Sequence, residues 1–472
     1  MTTTPGLDLT ALEAYLARTR WFGGKGREFS VTGTRTLATV PGGPPLVVIH
    51  LVDVAYLDAE GGRESYQVPL AYYEHPQTRL EHAFVAWWED PTHGWVHAYD
   101  AVHDREAMAL WLRAFDAAPA ETADPAVADP APGLRFHRLP GHDLDVEATS
   151  TLFSGEQSNS SVAFGEDALM KLFRKVTPGI NPDVSVHRVL TQAGSEFIAA
   201  LYGWAETVDA EGEVTQLAML QEFLRTATDG FDAALASVRS LFGDDSTRAS
   251  DSGGDFAGEA TRLGEALREV HQALRDHFPV ETRPAPAAAD LADQMRSRLD
   301  AAVDVVPELA EHADRLRSVF ARIGEIEMLE VQQIHGDLHL GQTLRTASGW
   351  RIVDFEGEPA KPLRERQLPD SPWRDVAGML RSFDYAPRVV ERTMTEGEQV
   401  ETAAIADRAD QWAERNKNHF LVAYAGGRLS PDEQLLLEAY VADKAVYEAV
   451  YETRNRPAWV EVPLMAIARI GA

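Results

Sequence analysis

Apolar residues recur along this chain in two rhythms. Over residues 1–20, Leu7, Leu9, Leu12, Tyr15 and Leu16 fall at helical spacing and predict an amphipathic helix. From Ser30 to about His97 the rhythm shortens, and runs such as 45–54 and 65–73 predict an antiparallel sheet. Residues 99–117 return to helical spacing, and the Pro/Ala/Asp-rich stretch 118–133 reads as a linker. A new unit begins near residue 135, where 161–164 and 169–173 predict a hairpin around Gly165, Glu166 and Asp167, and 217–220 predicts another strand. Helical periodicity then dominates, over 227–242, 257–277, 287–303, 307–325, 373–385, 403–425 and 431–453. Two short apolar runs interrupt it, one through Leu329, Val331 and Ile334 and one over 350–353, and each delivers an acidic loop.

Composition narrows the possibilities. The 472 residues, 44% hydrophobic and 25% charged, are those of an ordinary globular protein of two to four units. With no cysteine there is no disulfide framework, thiolate metal site or thiol nucleophile. Residues 1–21 lack a basic segment followed by an apolar core, so no signal peptide is expected, and no apolar run is long enough to span a membrane. A cytoplasmic location is the expectation. The net charge of −30 argues against nucleic acid or anionic membrane as partner, because counterion release needs clustered Lys and Arg.

The two acidic loops carry the chemistry. The first holds His335-Gly336-Asp337-Leu338-His339 and then Gln342, and the second holds Asp354-Phe355-Glu356. Two carboxylates 17 positions apart, each at the end of a short strand, can converge on one point. In phosphoryl transfer one such carboxylate orients the attacking hydroxyl and the other holds Mg²⁺ on the phosphates. The spacing resembles a kinase catalytic loop, in which an amide five residues after the catalytic Asp holds a second metal; here that residue is Gln342.

Further candidates surround this pair. The Gly/Lys cluster at 23–26 lacks the P-loop spacing and reads as a turn beside Trp21 and Phe22. The polar loop running into Ser158, Asn159 and Ser160, followed by a hairpin strand bearing Lys171, suits a phosphate cradle with its lysine. The helix after it offers Asp183, Ser185 and His187 in its early turns, with Glu196 the first glutamate, which leaves the acidic partner of Lys171 unassigned. Gln221, Glu222 and Leu224, closing an apolar strand, stand where an adenine hinge is expected, although a plain core strand fits the preceding residues equally well. Asp375 opens a helix, either as a brace for the catalytic loop or as an acid favoured by the helix dipole. Lys444, Tyr447 and Tyr451 share one helix face, suited to half-buried packing or to stacking on a sugar ring. His335, His339, Asp375, Arg381, Trp412, Glu414 and Glu448 complete the expected acceptor contacts, and the acids Glu358, Asp384, Glu414 and Glu448 offer charge to a cationic amine.

Taken together, Trp21-Phe22-Gly23-Gly24-Lys25, Ser158-Asn159-Ser160-Ser161-Val162, Lys171-Leu172-Phe173-Arg174, the 335–342 and 354–359 loops, the 370–377 segment and Asp443-Lys444 through Arg456-Pro457 resemble the actinobacterial maltokinases. That family is similar to aminoglycoside phosphotransferases and other eukaryotic-like kinases. The resemblance implies an α+β bilobal fold: a cap over 1–100, an intermediate part with the nucleotide-binding sheet over 101–222, and a mostly helical C-lobe over 223–472. It implies ATP-dependent phosphorylation of maltose at the anomeric hydroxyl, with Asp337 as base, Gln342 and Asp354 on Mg²⁺, and Lys171 on ATP. Lys444, Tyr447 and Tyr451 would then contact the sugar. Closely related proteins phosphorylate glucosamine, which is the alternative acceptor. A pseudokinase-like binding module is the alternative from another class, and an enzyme of trehalose or α-glucan metabolism is the expected partner of the cap.

Overall fold

The computed structural model describes residues 7–59, 61–120, 133–153, 158–243, 249–358, 361–395 and 402–471. Most of the expected linker at 118–133, and residues 154–157 of the polar loop before Ser158, lie outside them. The chain forms two compact units, residues 1–188 with 199–225 and residues 189–198 with 226–472.

The first unit opens with α1 (Leu9–Arg18), capped by the Asp8 side chain on the Thr10 N–H. Strands β1 (Phe29–Thr39), β2 (Leu46–Tyr56), β3 (Arg63–Tyr73), β4 (Phe84–Asp90) and β5 (Gly94–Asp100) form an antiparallel sheet in the order β1-β2-β3-β5-β4. The apolar run in β2 is almost unbroken because both faces of this sheet are covered. Val48, Val52 and Val54 face α1, Trp21 and Phe22, whereas Val47, Ile49 and Leu51 join a second core around α2 (Arg105–Ala117).

That second core is shared with a six-stranded sheet. It comprises β6 (Gly133–Arg138), β7 (Ser150–Leu152), β8 (Asn159–Phe164), β9 (Ala168–Phe173), β10 (Leu201–Val208) and β11 (Val214–Glu222), in the order β6-β10-β11-β9-β8-β7. The hairpin expected around Gly165 is β8–β9, in register with Ser161 opposite Lys171. Helix α3 (Pro182–Gln192) follows.

The second unit is mostly helical. Strand β12 (Thr228–Asp229) leads into α4 (Gly230–Gly243) and α5 (Ala257–His277). Strand β13 (Glu281–Pro284), α6 (Ala285–Val305) and α7 (Ala313–Ile323) follow, then β14 (Met328–Val331), β15 (Thr343–Thr346) and β16 (Gly349–Ile352). The short α8 (Leu363–Arg366) precedes α9 (Trp373–Thr395), α10 (Thr402–Ala425), α11 (Pro431–Asn455) and α12 (Glu461–Arg469). A capping box at Ser430 and Glu433 fixes the start of α11. The two acidic loops leave from the ends of β14 and β16, as short strands paired to β13 and β15.

Candidate active site

In the first unit Lys171 projects from β9 and is buried, its Nζ 2.8 Å from Asp183 Oδ2. Asp183 lies in the first turn of α3, where its N–H donates to the Asn181 side chain, and His187 one turn later places Nδ1 3.0 Å from Asp183 Oδ1. Burial opposes ionisation of Asp183, but Lys171 and His187 outweigh it and hold the carboxyl well below its ordinary range. The acid partner that the sequence left unassigned is therefore Asp183; Ser185 instead donates to the Pro182 carbonyl. Of the expected loop residues Ser158 is exposed, whereas Asn159 and Ser160 are buried, and the Ser160 hydroxyl accepts from Arg174. Ser160 as a nucleotide contact is thereby corrected to an internal one. Gln221 and Glu222 end β11 and Leu224 follows, all three half-buried.

In the second unit the loop bearing Asp337 is clamped by α9 at three positions spaced i, i+3, i+7. Asp375, fully buried, accepts from the backbone N–H of His335 at 2.7 Å and of Gly336 at 2.8 Å, and from His271 Nε2 at 3.0 Å. Gly378 has no side chain because the Leu338 carbonyl occupies the place a Cβ would take. Ser382 accepts the Leu340 N–H at 3.0 Å. Burial raises the Asp375 carboxyl, yet the hydrogen bond and charge of His271 prevail and keep it below the usual range. Asp375 thus braces the loop from behind, its carboxylate engaged by the His335 and Gly336 N–H groups and by His271.

The two histidines of the motif hydrogen-bond to backbone, His335 buried and His339 half-buried. His335 is buried; its Nε2–H donates to the Val353 carbonyl at 2.9 Å, and its Nδ1 accepts the Asp337 N–H at 3.3 Å. That staples the first acidic loop to the second. His339 Nδ1 accepts the Gly341 N–H at 3.1 Å, and burial holds the ring below its ordinary pKa in the neutral form this bond needs. Beside them Gln342 Nε2 donates to Asp354 Oδ2 at 2.9 Å. Asp354 has φ 68°, the one non-glycine residue with positive φ among the described residues, a conformation Asp tolerates better than most side chains. An amide oxygen and a carboxylate held together are hard donors of the kind Mg²⁺ takes.

Asp337 opens on a cavity of about 160 Å³ whose wall includes Glu358, Arg374, Tyr440, Lys444 and Tyr447. Lys444 Nζ lies 3.0 Å from Asp337 Oδ1 and 5.2 Å from the centroid of the Tyr447 ring. Burial works against the Lys444 ammonium, but the carboxylates of Asp337 and Glu448 more than offset it and raise its pKa. Tyr447 and Tyr451 are 42% and 45% exposed, presenting ring surface instead of packing it away. Arg374 bridges Glu358 and Asp370 at 2.9 Å each, and Tyr440 donates to Asp370 at 2.6 Å. Glu358 and the 370–377 segment stand out in the sequence, but Tyr440 does not, and nothing local announces that these residues join in one polar wall.

Three expected acceptor contacts lie elsewhere. Trp412 is in the core against Phe256 and Phe383, with Nε1–H on the Ser237 hydroxyl. Arg381 is buried and donates from Nε and Nη2 to Glu448 Oε2, at 2.9 and 2.7 Å. Glu414 is on the surface, paired with Lys417.

Residues 15–104 match the maltokinase N-terminal cap domain, and residues 245–414 match the phosphotransferase enzyme family. A glucosamine kinase of Streptacidiphilus jiangxiensis is 31% identical over 327 residues, 66% of this chain and 71% of the relative. A glucosamine kinase of Mycolicibacterium smegmatis is 27% identical over 329 residues, covering 66% and 77%. The solved structure of a glucosamine kinase in complex with glucosamine, ADP and inorganic phosphate superposes with a TM-score of 0.66 at 23% identity, covering 96% of this chain and 98% of that one. The fold is therefore the α+β bilobal phosphotransferase-kinase fold, and the chain belongs to the phosphotransferase enzyme family, in the branch that carries a maltokinase-type N-terminal cap.

Proposed function

We propose that the chain is a Mg²⁺- and ATP-dependent sugar kinase whose acceptor is a neutral sugar, maltose, phosphorylated at its anomeric hydroxyl to give maltose 1-phosphate and ADP. The observation that carries this reading is Lys444 on Asp337. A cation fixed beside the expected base favours a neutral sugar and repels one that carries an ammonium group. The acids suited to attract an amine already have cationic partners: Glu358 has Arg374, Asp384 has Arg381 and Lys417, Glu414 has Lys417, and Glu448 has Arg381.

In this mechanism Asp337 orients the acceptor hydroxyl with the oxygen Lys444 leaves uncovered and takes its proton as the hydroxyl attacks the γ-phosphate. Gln342 and Asp354 would hold Mg²⁺, which supplies charge neutralisation on the phosphates. Lys171, held by Asp183, would meet the nucleotide phosphates, and Gln221, Glu222 and Leu224 the adenine. Tyr447 and Tyr451 offer faces to the sugar rings. The need for ATP assigns the reaction to the cytoplasm. The glycosyl phosphate formed suits a partner that builds α-glucan.

One observation favours a second reading, glucosamine phosphorylation: the curated relatives reported above bear that name. The test is ADP release by the purified chain with Mg·ATP and maltose, together with a reducing-sugar assay. One reducing end lost per ADP formed supports the proposal. ADP release that maltose does not stimulate, or that leaves the reducing ends intact, contradicts it.

A further inference from the structure

Arg174 follows β9 directly, three residues after Lys171, and is completely buried. Its Nη2 lies 2.7 Å from Asp100 Oδ2, its Nε donates to Ser160 Oγ at 2.8 Å, and its guanidinium lies 4.3 Å from the centre of the Trp21 ring. Asp100, also completely buried, closes β5 of the cap sheet and accepts from the Tyr15 hydroxyl of α1. One side chain thus ties the strand of Lys171 and the strand that begins at Asn159 to two elements of the cap.

A second buried tie lies alongside. Gln67 of β3 donates through Nε2 to the carbonyls of Phe173, at 2.6 Å, and of Leu217, so it spans β9 and β11. Its backbone N–H donates to the Arg174 carbonyl at 2.8 Å, and the Val176 N–H donates to Ser65 at 2.9 Å. By the alternation of a strand Lys171 and Arg174 leave on opposite faces. Lys171 meets α3 on one, and the cap holds the other.

A buried ion pair is a poor device for stability, since apolar side chains of similar volume commonly do as well, but it fixes geometry. We propose that Arg174 is a positioning residue: with Asp100, Ser160 and Gln67 it lets the cap set the placement of β8 and β9, and through them the affinity for the nucleotide. The inference rests on the reading of Lys171 as a nucleotide contact. It gives the cap a role in ATP binding that requires no contact between cap and ligand.

The experiment titrates Mg·ADP into the full chain by calorimetry and measures KM for ATP and for maltose, for the native protein and for Arg174→Met, Arg174→Lys and Ser160→Ala. Arg174→Met is expected to weaken ADP about tenfold and to raise KM for ATP in parallel, with KM for maltose changed less than twofold. Arg174→Lys, which keeps the charge on Asp100, should recover part of the loss, and Ser160→Ala should weaken ADP about threefold. If Arg174→Met does not fold, the Ser160→Ala and Arg174→Lys values decide. An ADP affinity unmoved in the folded variants overturns the inference, and so does an equal rise in both KM values. Native protein that binds no Mg·ADP overturns the nucleotide reading itself.

Discussion

Replacing Lys444 with Met removes a charge while keeping an unbranched side chain against Tyr447. In the native protein Lys444 Nζ lies 3.0 Å from the carboxylate of Asp337, and its side chain is 29% exposed. An acceptor amine bound in the same cavity would sit roughly 5 Å from this ammonium, where two like charges repel by about 3 kcal/mol at an effective dielectric of ~20. Partial exposure screens that figure, and halving it leaves about 1.5 kcal/mol, close to a tenfold change in relative rate. The ratio of kcat/KM for maltose to that for glucosamine should therefore fall about tenfold in Lys444→Met. Coupled ADP-release assays on both sugars, at a pH where the amine is protonated, measure the ratio. An unchanged ratio, with both rates reduced alike, would refute the electrostatic reasoning and leave Lys444 with a general role in holding Asp337.

Other outcomes follow from the same site. Asp337→Asn should lower kcat by about 10²–10⁴-fold, the usual worth of a general base, with the thermal midpoint little changed; a native kcat would remove Asp337 from that role. Asp354→Ala should raise the Mg²⁺ concentration needed for half-maximal nucleotide binding, and an unaltered Mg²⁺ dependence would contradict its assignment. Asp375 accepts three buried donors, so Asp375→Ala should cost at least about 3 kcal/mol, read from urea unfolding at pH 7. The native Asp375 carboxyl is held below its unfolded value, so its stabilisation is present in full above the ordinary carboxylate range and is lost as pH falls below it. Asp375→Asn should accordingly flatten the fall in stability between about pH 5 and 3. An identical slope would show that Asp375 carries no such linkage.

Much of this architecture is legible in one sequence, for identifiable reasons. Helices α4, α5, α10 and α11 lie close to their predicted spans because each buries a continuous apolar stripe of helical period. The acidic loops are legible because strand, glycine and carboxylate all fall within a few residues. What was misread depends on contacts far apart in sequence. Trp412 has a polar ring edge that suggests a binding role, but Ser237 satisfies it from 175 positions away. Arg381 and Glu448, 67 positions apart, neutralise each other, and no local pattern announces a buried ion pair. His335 and His339 look like chemistry because histidine often is, yet here both ring nitrogens of His335 and Nδ1 of His339 are spent on backbone N–H and C=O groups. The partner of Lys171 stays unassigned in the sequence because the early turns of α3 offer Asp183, Ser185 and His187 together, and only the fold shows that Asp183 reaches the lysine from the helix start.

The proposed acceptor beside Asp337 and Lys444 is a neutral sugar and not an amino sugar. The most direct measurement is a competition: maltose and glucosamine at equal concentration with limiting Mg·ATP, and the products separated by mass. Maltose phosphate as the dominant product, with its phosphate on the anomeric carbon by ³¹P NMR, is the result expected. Glucosamine phosphate as the dominant product would keep the fold and the phosphotransfer chemistry and overturn the acceptor.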